Sequence, residues 1–127
     1  MLVENHEHTR EMYAQWLVFC GLRVAEAATA DEAMAKALDL RPHIITTDIG
    51  LHGGQDGCDL CSRLKADDRT KAIPIIAVTA WAMGGHVERA HRAGCNSVLI
   101  KPCLPEDLLI EIRRLLKQKP PPPDNKR

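Results

Sequence analysis

The run His43-Ile44-Ile45-Thr46-Thr47-Asp48, followed by Gly50-Leu51-His52-Gly53-Gly54, decides the fold. Its apolar, β-branched residues read as a buried strand. A glycine-rich turn follows the carboxylate. A buried strand that ends this way presents Asp48 at the C-terminal edge of a sheet, the edge where ligands bind in open α/β folds. Two other runs end alike: Ile75-Ile76-Ala77-Val78 closes on Thr79, and Val98-Leu99-Ile100 closes on Lys101-Pro102. A carboxylate, a hydroxyl and an ammonium at three strand ends suit phosphoryl transfer, where catalysis is mostly positioning and electrostatics.

Outward from that strand, helical and extended patterns alternate. Leu2-Val3 is a short apolar start that runs into Glu4-Asn5. Residues 9–19 carry Met12, Trp16 and Phe19 at helical spacing, with Tyr13 and Leu17 beside them, and Gly21 is a natural stop. Leu22-Arg23-Val24-Ala25 alternates like a strand. Thr29-Ala30-Asp31-Glu32 holds an N-cap candidate for an alanine-rich helix over 33–40, which Pro42 breaks. After Asp48, residues 56–65 predict a helix with Leu60 and Leu64 on one face. Pro74 opens the fourth strand, and 83–93 predicts a helix weakened by Gly84-Gly85 and stopped at Gly94. Pro105 suits the first turn of a last helix over 106–117, with Leu108, Leu109, Ile112, Leu115 and Leu116 apolar. Five such alternations predict a parallel sheet with helices on both faces.

The chain has 127 residues, enough for one core, and 45% are hydrophobic. Lysine plus arginine equal aspartate plus glutamate at 17 each. With no excess positive charge, neither nucleic acid nor membrane is an expected partner. No apolar stretch is long enough to span a bilayer, and no secretory signal precedes the first strand, so a cytoplasmic location is expected. One domain is predicted over residues 1–117, with a stiff, polar, proline-rich tail or linker start at 118–127.

Other motifs read as structural. Cys20, Cys58, Cys61, Cys95 and Cys103 are odd in number and read as free thiols. Cys58-x-x-Cys61 falls inside a helix and offers only two zinc ligands, so it reads as helix-face thiols. His6 and His8 with Glu4 and Glu7 read as a solvated turn, and His86 and His91 as helix surface. The basic residues from Arg113 and Arg114 to Lys119 read as a charged helix end that complements the helix dipole.

Taken together, the motifs resemble the receiver domain of bacterial two-component response regulators, a chemotaxis-type, flavodoxin-like fold. The match covers residues 1–117. It rests on the polar pair after the first strand, Asp48, Asp56-Gly57 opening the third helix, Thr79-Ala80, Lys101-Pro102, and the strings Ile73-Pro74-Ile75-Ile76-Ala77-Val78-Thr79-Ala80 and Ala93-Gly94-Cys95-Asn96. The resemblance implies five parallel strands in the order 2-1-3-4-5. It implies that Asp48 accepts a phosphoryl group from a phosphohistidine on a sensor histidine kinase or phosphotransfer protein, with Thr79 contacting the phosphoryl oxygens and Lys101 as the cationic partner. It implies Mg²⁺ held by Glu4, Asn5, Asp48 and the backbone carbonyl of Gly50. Such a domain catalyses only its own phosphorylation and dephosphorylation. It relays its state to a downstream protein target or effector domain through the face formed by helix 4, strand 5 and helix 5.

Four features depart from the family pattern. Asn5 stands where a carboxylate is usual, which predicts weaker Mg²⁺ binding because affinity for hard cations follows ligand charge. His52 replaces a usual Pro, and the loop before Asp56-Gly57 is one residue longer. Val98 replaces a usual aromatic ring, and Trp81 is bulky for a position that tunes water access. These departures keep a second reading open, a receiver-like interaction module that works without phosphorylation. A flavodoxin-like redox enzyme is a more distant alternative, since residues 4–9 lack the small polar residues that cradle a flavin phosphate.

Overall fold

Residues 1–51, 55–80 and 84–118 are described by a computed structural model. Among them the chain forms β1 (Leu2–Val3), α1 (Glu7–Phe19), β2 (Glu26–Ala27), α2 (Ala30–Leu40), β3 (Ile45–Asp48), α3 (Gly57–Ala66), β4 (Ile75–Thr79), α4 (His86–Arg92), β5 (Ser97–Ile100) and α5 (Pro105–Gln118). The five strands are parallel in the order β2-β1-β3-β4-β5, as expected.

The period-two geometry of a strand divides the core into two layers. In β4, Ile75 and Ala77 join a cluster with Ala33, Met34 and Ala37 of α2, Leu60, Cys61 and Leu64 of α3, and Ala90 of α4. Ile76 and Val78 point the other way, into Leu17 of α1 and Leu108, Leu109, Ile112 and Leu115 of α5. All five residues of β4 are buried, as a central strand covered on both faces requires. The three buried alanines of α2, Ala30, Ala33 and Ala37, let that helix sit close on the sheet.

Caps and stops explain the helix bounds. Thr29 caps α2 by accepting from the Glu32 N–H at 3.1 Å. Asp56 caps α3 in a reciprocal box with Asp59, the two backbone N–H groups each reaching the other's carboxylate at 2.9 and 3.0 Å. Gly21 and Gly94 follow α1 and α4 at φ +95° and +103°, the left-handed region that glycine enters freely.

Two expectations need correction. The second strand is Glu26–Ala27, not 22–25. Its register pairs Leu2 with Glu26 and Val3 with Ala27, so residues 22–24 run past the first residue of β1 and have no β1 residue opposite them. Helix 4 is shorter than 83–93, because Gly84 and Gly85 both take φ +79° and the helix starts only after them. The buried stripe of α1 is Ala14 and Leu17, with Tyr13 and Trp16 half-buried. Met12 and Phe19 face outward, Phe19 at 82% exposure.

Beside the short β1, at the sheet end opposite Asp48, lies a cleft of about 740 Å³. Leu17, Leu22, Val24, Ile44, Ile112 and Leu116 form much of its wall. No helix among the described residues is long and apolar enough to cross a membrane. The expected tail lies, from residue 119 on, outside the described residues, as do His52, Gly53-Gly54 and Trp81.

Candidate functional site

The C-terminal edge of the sheet brings Glu4, Asp48 and Lys101 together, with Thr79 at the end of a neighbouring strand. Asp48 ends β3 opposite Val78, Thr79 ends β4 opposite Ile100, and Lys101 follows directly. The ladder continues past the last side chains: Ile49 N–H donates to Val78 O at 2.9 Å, and Lys101 N–H to Thr79 O at 2.8 Å. The Lys101–Pro102 peptide is cis. The Lys101 ammonium lies 3.2 Å from Asp48 Oδ1 and 3.9 Å from Glu4 Oε1. Two carboxylates from β3 and the end of β1 thus converge on one cation from the end of β5. Glu4 is buried and Asp48 nearly so, which makes these charges count for more than they would in water. Thr79 is 2% exposed.

Local backbone holds this geometry. Glu4 N–H donates to Ala27 O at 2.9 Å, continuing β1, while Glu4 Oε2 accepts from the His6 N–H at 3.0 Å. The carboxylate therefore also closes the turn into α1. Asn5 is half-buried in that turn, and Gly50 is exposed just beyond β3. His6, Glu7 and His8 are exposed, whereas Glu4 is buried. Among the described residues no three His, Cys, Asp or Glu side chains cluster as metal ligands.

Tyr13, Arg10 and Gly57 also shape this edge. Tyr13 of α1 donates its hydroxyl to Cys103 O and lines a cavity of about 20 Å³ together with Glu4, Asp48 and Lys101. That volume is about that of one water. Burial, and then the charges that Cys103, Glu4 and Asp48 carry when ionised, push the Tyr13 hydroxyl above its ordinary range. The only signal in the sequence was its helical spacing to Leu17. Arg10 Nη1 donates to Glu4 O at 2.9 Å, and its Nε meets Glu26 Oε1 at 3.1 Å, clasping β1 to β2. Gly57 packs its Cα against the chain leaving β3. A Cβ there would lie 2.3 Å from Asp48 O and 2.9 Å from Ile49 Cα. The Asp-Gly pair opening α3 is thus explained: Asp56 caps, and Gly57 admits the backbone of the Asp48 turn.

The oxygen donors suit a hard cation. Mg²⁺ is commonly held by one or two carboxylates with several waters retained, and Glu4 and Asp48 supply two converging carboxylates.

Comparison with known proteins identifies the family. The model of the response regulator receiver domain family matches residues 1–113. The polar-differentiation response regulator DivK of Brucella anthropi is 34% identical over 102 residues, covering 80% of this chain and 82% of that protein. The phosphate regulon transcriptional regulatory protein PhoB of Pseudomonas aeruginosa is 31% identical over 121 residues, covering 95% of this chain and 52% of that protein. Among solved structures, a CheY-like receiver domain protein from Methanospirillum hungatei superposes with a TM-score of 0.85 at 27% identity, covering 93% of this chain and 92% of its own. The receiver domain of a signal transduction histidine kinase from Syntrophus aciditrophicus gives 0.87 at 25% identity, covering 99% and 95%. Receiver domains of this kind generally bind Mg²⁺ at the phosphorylation site and interact with histidine kinases or phosphotransfer proteins and with effector domains. With the strand order and the family match in accord, this chain belongs to the response regulator receiver domain family of two-component systems.

Proposed function

We propose that residues 1–117 form a phosphoacceptor domain whose acceptor is Asp48. The observation that carries this reading is the Lys101 ammonium, 3.2 Å from Asp48 Oδ1 and 3.9 Å from Glu4 Oε1 at the C-terminal edge of the sheet. An Asp48 oxygen attacks the phosphorus of a phosphohistidine on a sensor kinase or phosphotransfer protein. The P–O bond forms as the P–N bond breaks, and the imidazole leaves with a proton. Lys101 offsets the negative charge that accumulates during the approach of two anions. Thr79, ending the neighbouring strand, is the hydroxyl for the transferred oxygens. Glu4, Asp48, Asn5 and the Gly50 carbonyl would hold Mg²⁺, which supplies further charge neutralisation. The new phosphate draws Thr79 and Lys101 and so biases the packing of α4, β5 and α5, the face that would meet a downstream target or effector domain. A relay of this kind would operate in the cytoplasm.

Asn5 favours a second reading, association without phosphorylation, because it removes a carboxylate from the expected metal set. One experiment separates the two. The protein is incubated with phosphoramidate, whose P–N bond mimics phosphohistidine, with and without Mg²⁺, and its intact mass is measured beside Asp48→Asn. One phosphoryl adduct that needs both Mg²⁺ and Asp48 is the expected result. No adduct at saturating Mg²⁺, or an adduct retained by Asp48→Asn, would overturn the assignment of Asp48.

A further inference from the structure

The turn that carries Lys101 into α5 is held at each end by backbone bonds. Lys101 N–H donates to Thr79 O at 2.8 Å, and Leu108 N–H donates to Leu104 O at 3.1 Å, the bond that opens α5. Between these two points stands Cys103, whose carbonyl accepts from the Tyr13 hydroxyl, 90 residues away in sequence. Tyr13 is itself firmly placed. It lies beside Ala14 and one turn before Leu17, the buried residues of α1. Its side chain and that of Cys103 both pack against the layer formed by Leu17, Ile76, Val78 and Leu108. The start of α1 is tied to the site as well, since Glu4 Oε2 accepts from the His6 N–H at 3.0 Å. One helix thus holds Glu4 at its first turn and the Lys101 turn through Tyr13. Tyr13, Glu4, Asp48, Lys101 and Cys103 all line one small cavity.

On the reading of Asp48 as phosphoacceptor, we propose that Tyr13 is a positioning residue for the transfer: its hydroxyl fixes the Lys101-Pro102-Cys103 turn and so sets where the Lys101 ammonium stands. Tyr13 acts through Lys101 and takes no part in bond making. A lysine stem is flexible, and its charge is useful only where the backbone beneath it is fixed. The ammonium is 3.2 Å from Asp48 Oδ1, a distance at which small displacements change the attraction steeply. Preorganised charge lowers a barrier because it need not move at the moment of reaction. Without the hydroxyl, the Cys103 carbonyl loses its donor and turns towards water for another. The turn then rotates, and Lys101 goes with it.

The test follows phosphoramidate labelling over time by intact mass, at a series of Mg²⁺ concentrations, in the unsubstituted chain and in Tyr13→Phe, which keeps the ring and removes the hydroxyl. The rate at saturating Mg²⁺ should fall about tenfold, within the loss that misplacing a charged group brings. The Mg²⁺ concentration giving half that rate should not change, because Glu4 and Asp48 keep their places. Equal rates in the two proteins would overturn the role of Tyr13 and leave Asp48 standing. A slower rate accompanied by a higher half-saturating Mg²⁺ would also overturn it, since the whole site would then have loosened. No adduct on the unsubstituted chain would remove the reading of Asp48 and the role of Tyr13 together. Tyr13 is the single tyrosine of the chain, so 3-fluorotyrosine labels it alone with its donor kept. Its ¹⁹F resonance should shift when Asp48 is phosphorylated and Lys101 follows the new charge. A resonance that stays in place would overturn the proposal even where Tyr13→Phe fails to fold.

Discussion

At Gly57 a hydrogen is all that fits against the backbone carbonyl of Asp48. A methyl group would have to displace main chain on both sides, so Gly57→Ala is expected to cost about 1–3 kcal/mol, as overpacking does. Thermal unfolding would register the loss, and phosphoramidate labelling should fall with it because the Asp48 turn must move. An unchanged melting temperature would contradict the contact. Asn5 calls for the opposite kind of change. Asn5→Asp restores a third carboxylate, and calorimetric titration should show Mg²⁺ binding about tenfold tighter, equivalent to ~1.4 kcal/mol. Equal affinity in both proteins would mean that residue 5 is not a ligand. Asp48, Thr79 and Lys101 were legible in the sequence because each ends an apolar run, a local pattern. Tyr13 and Arg10 were not, because their importance arises from contacts with Cys103, Glu4 and Glu26, distant in sequence or on other elements.

Among the elements, α4 is tied to the N-terminal end of α3. Arg89 Nη1 of α4 lies 2.6 Å from Asp56 Oδ2, the cap of α3, and its Nη2 is 3.7 Å from Asp59. Asp56 therefore serves the capping box and the neighbouring helix at once. Asp56→Ala should lower stability by about 1–2 kcal/mol, the range for a lost N-cap. Arg89→Ala should lose less than about 1 kcal/mol, as expected for a partly exposed ion pair. Urea unfolding of both variants would check the order, and a larger loss in Arg89→Ala would reverse the reading. Element order and a parallel sheet with helices on both faces were readable from alternation, whereas the strand order came from the family resemblance. Element edges were less so. Leu22-Arg23-Val24-Ala25 has a strand pattern, yet a strand also needs a partner, and register is not written locally. On α1, helical spacing alone could not say which of two apolar stripes faces the sheet. The Tyr13, Ala14 and Leu17 stripe packs inward, while Met12 and Phe19 remain outside.

For the molecule as a whole, acid sensitivity has an identifiable contributor. Glu111 of α5 bonds the Arg114 guanidinium and accepts from the Ser97 hydroxyl of β5. The Arg114 hydrogen bond, assisted by Ser97, holds its carboxyl below the ordinary range. A depressed folded value means that the unfolded chain binds the proton first. The stabilisation is thus present above the unfolded value of about 4.3 and is lost as pH falls through the folded one. Glu111→Gln should be less stable than the unsubstituted protein by about 1 kcal/mol at pH 7, and the gap should close towards about pH 3. A gap that stays constant with pH would assign the effect to packing. The short β1 has a consequence for the distribution of motion. The sheet is laddered through its upper half, where the carboxylates gather, and opens into the large cleft below. Amide deuterium uptake should therefore be graded along the strand axis. Arg23 and Val24, beside the cleft, should exchange early, and Ile76 and Val78 last. The chemistry would then be carried by the slow-exchanging end of the molecule, and thermal fraying would begin at the far end.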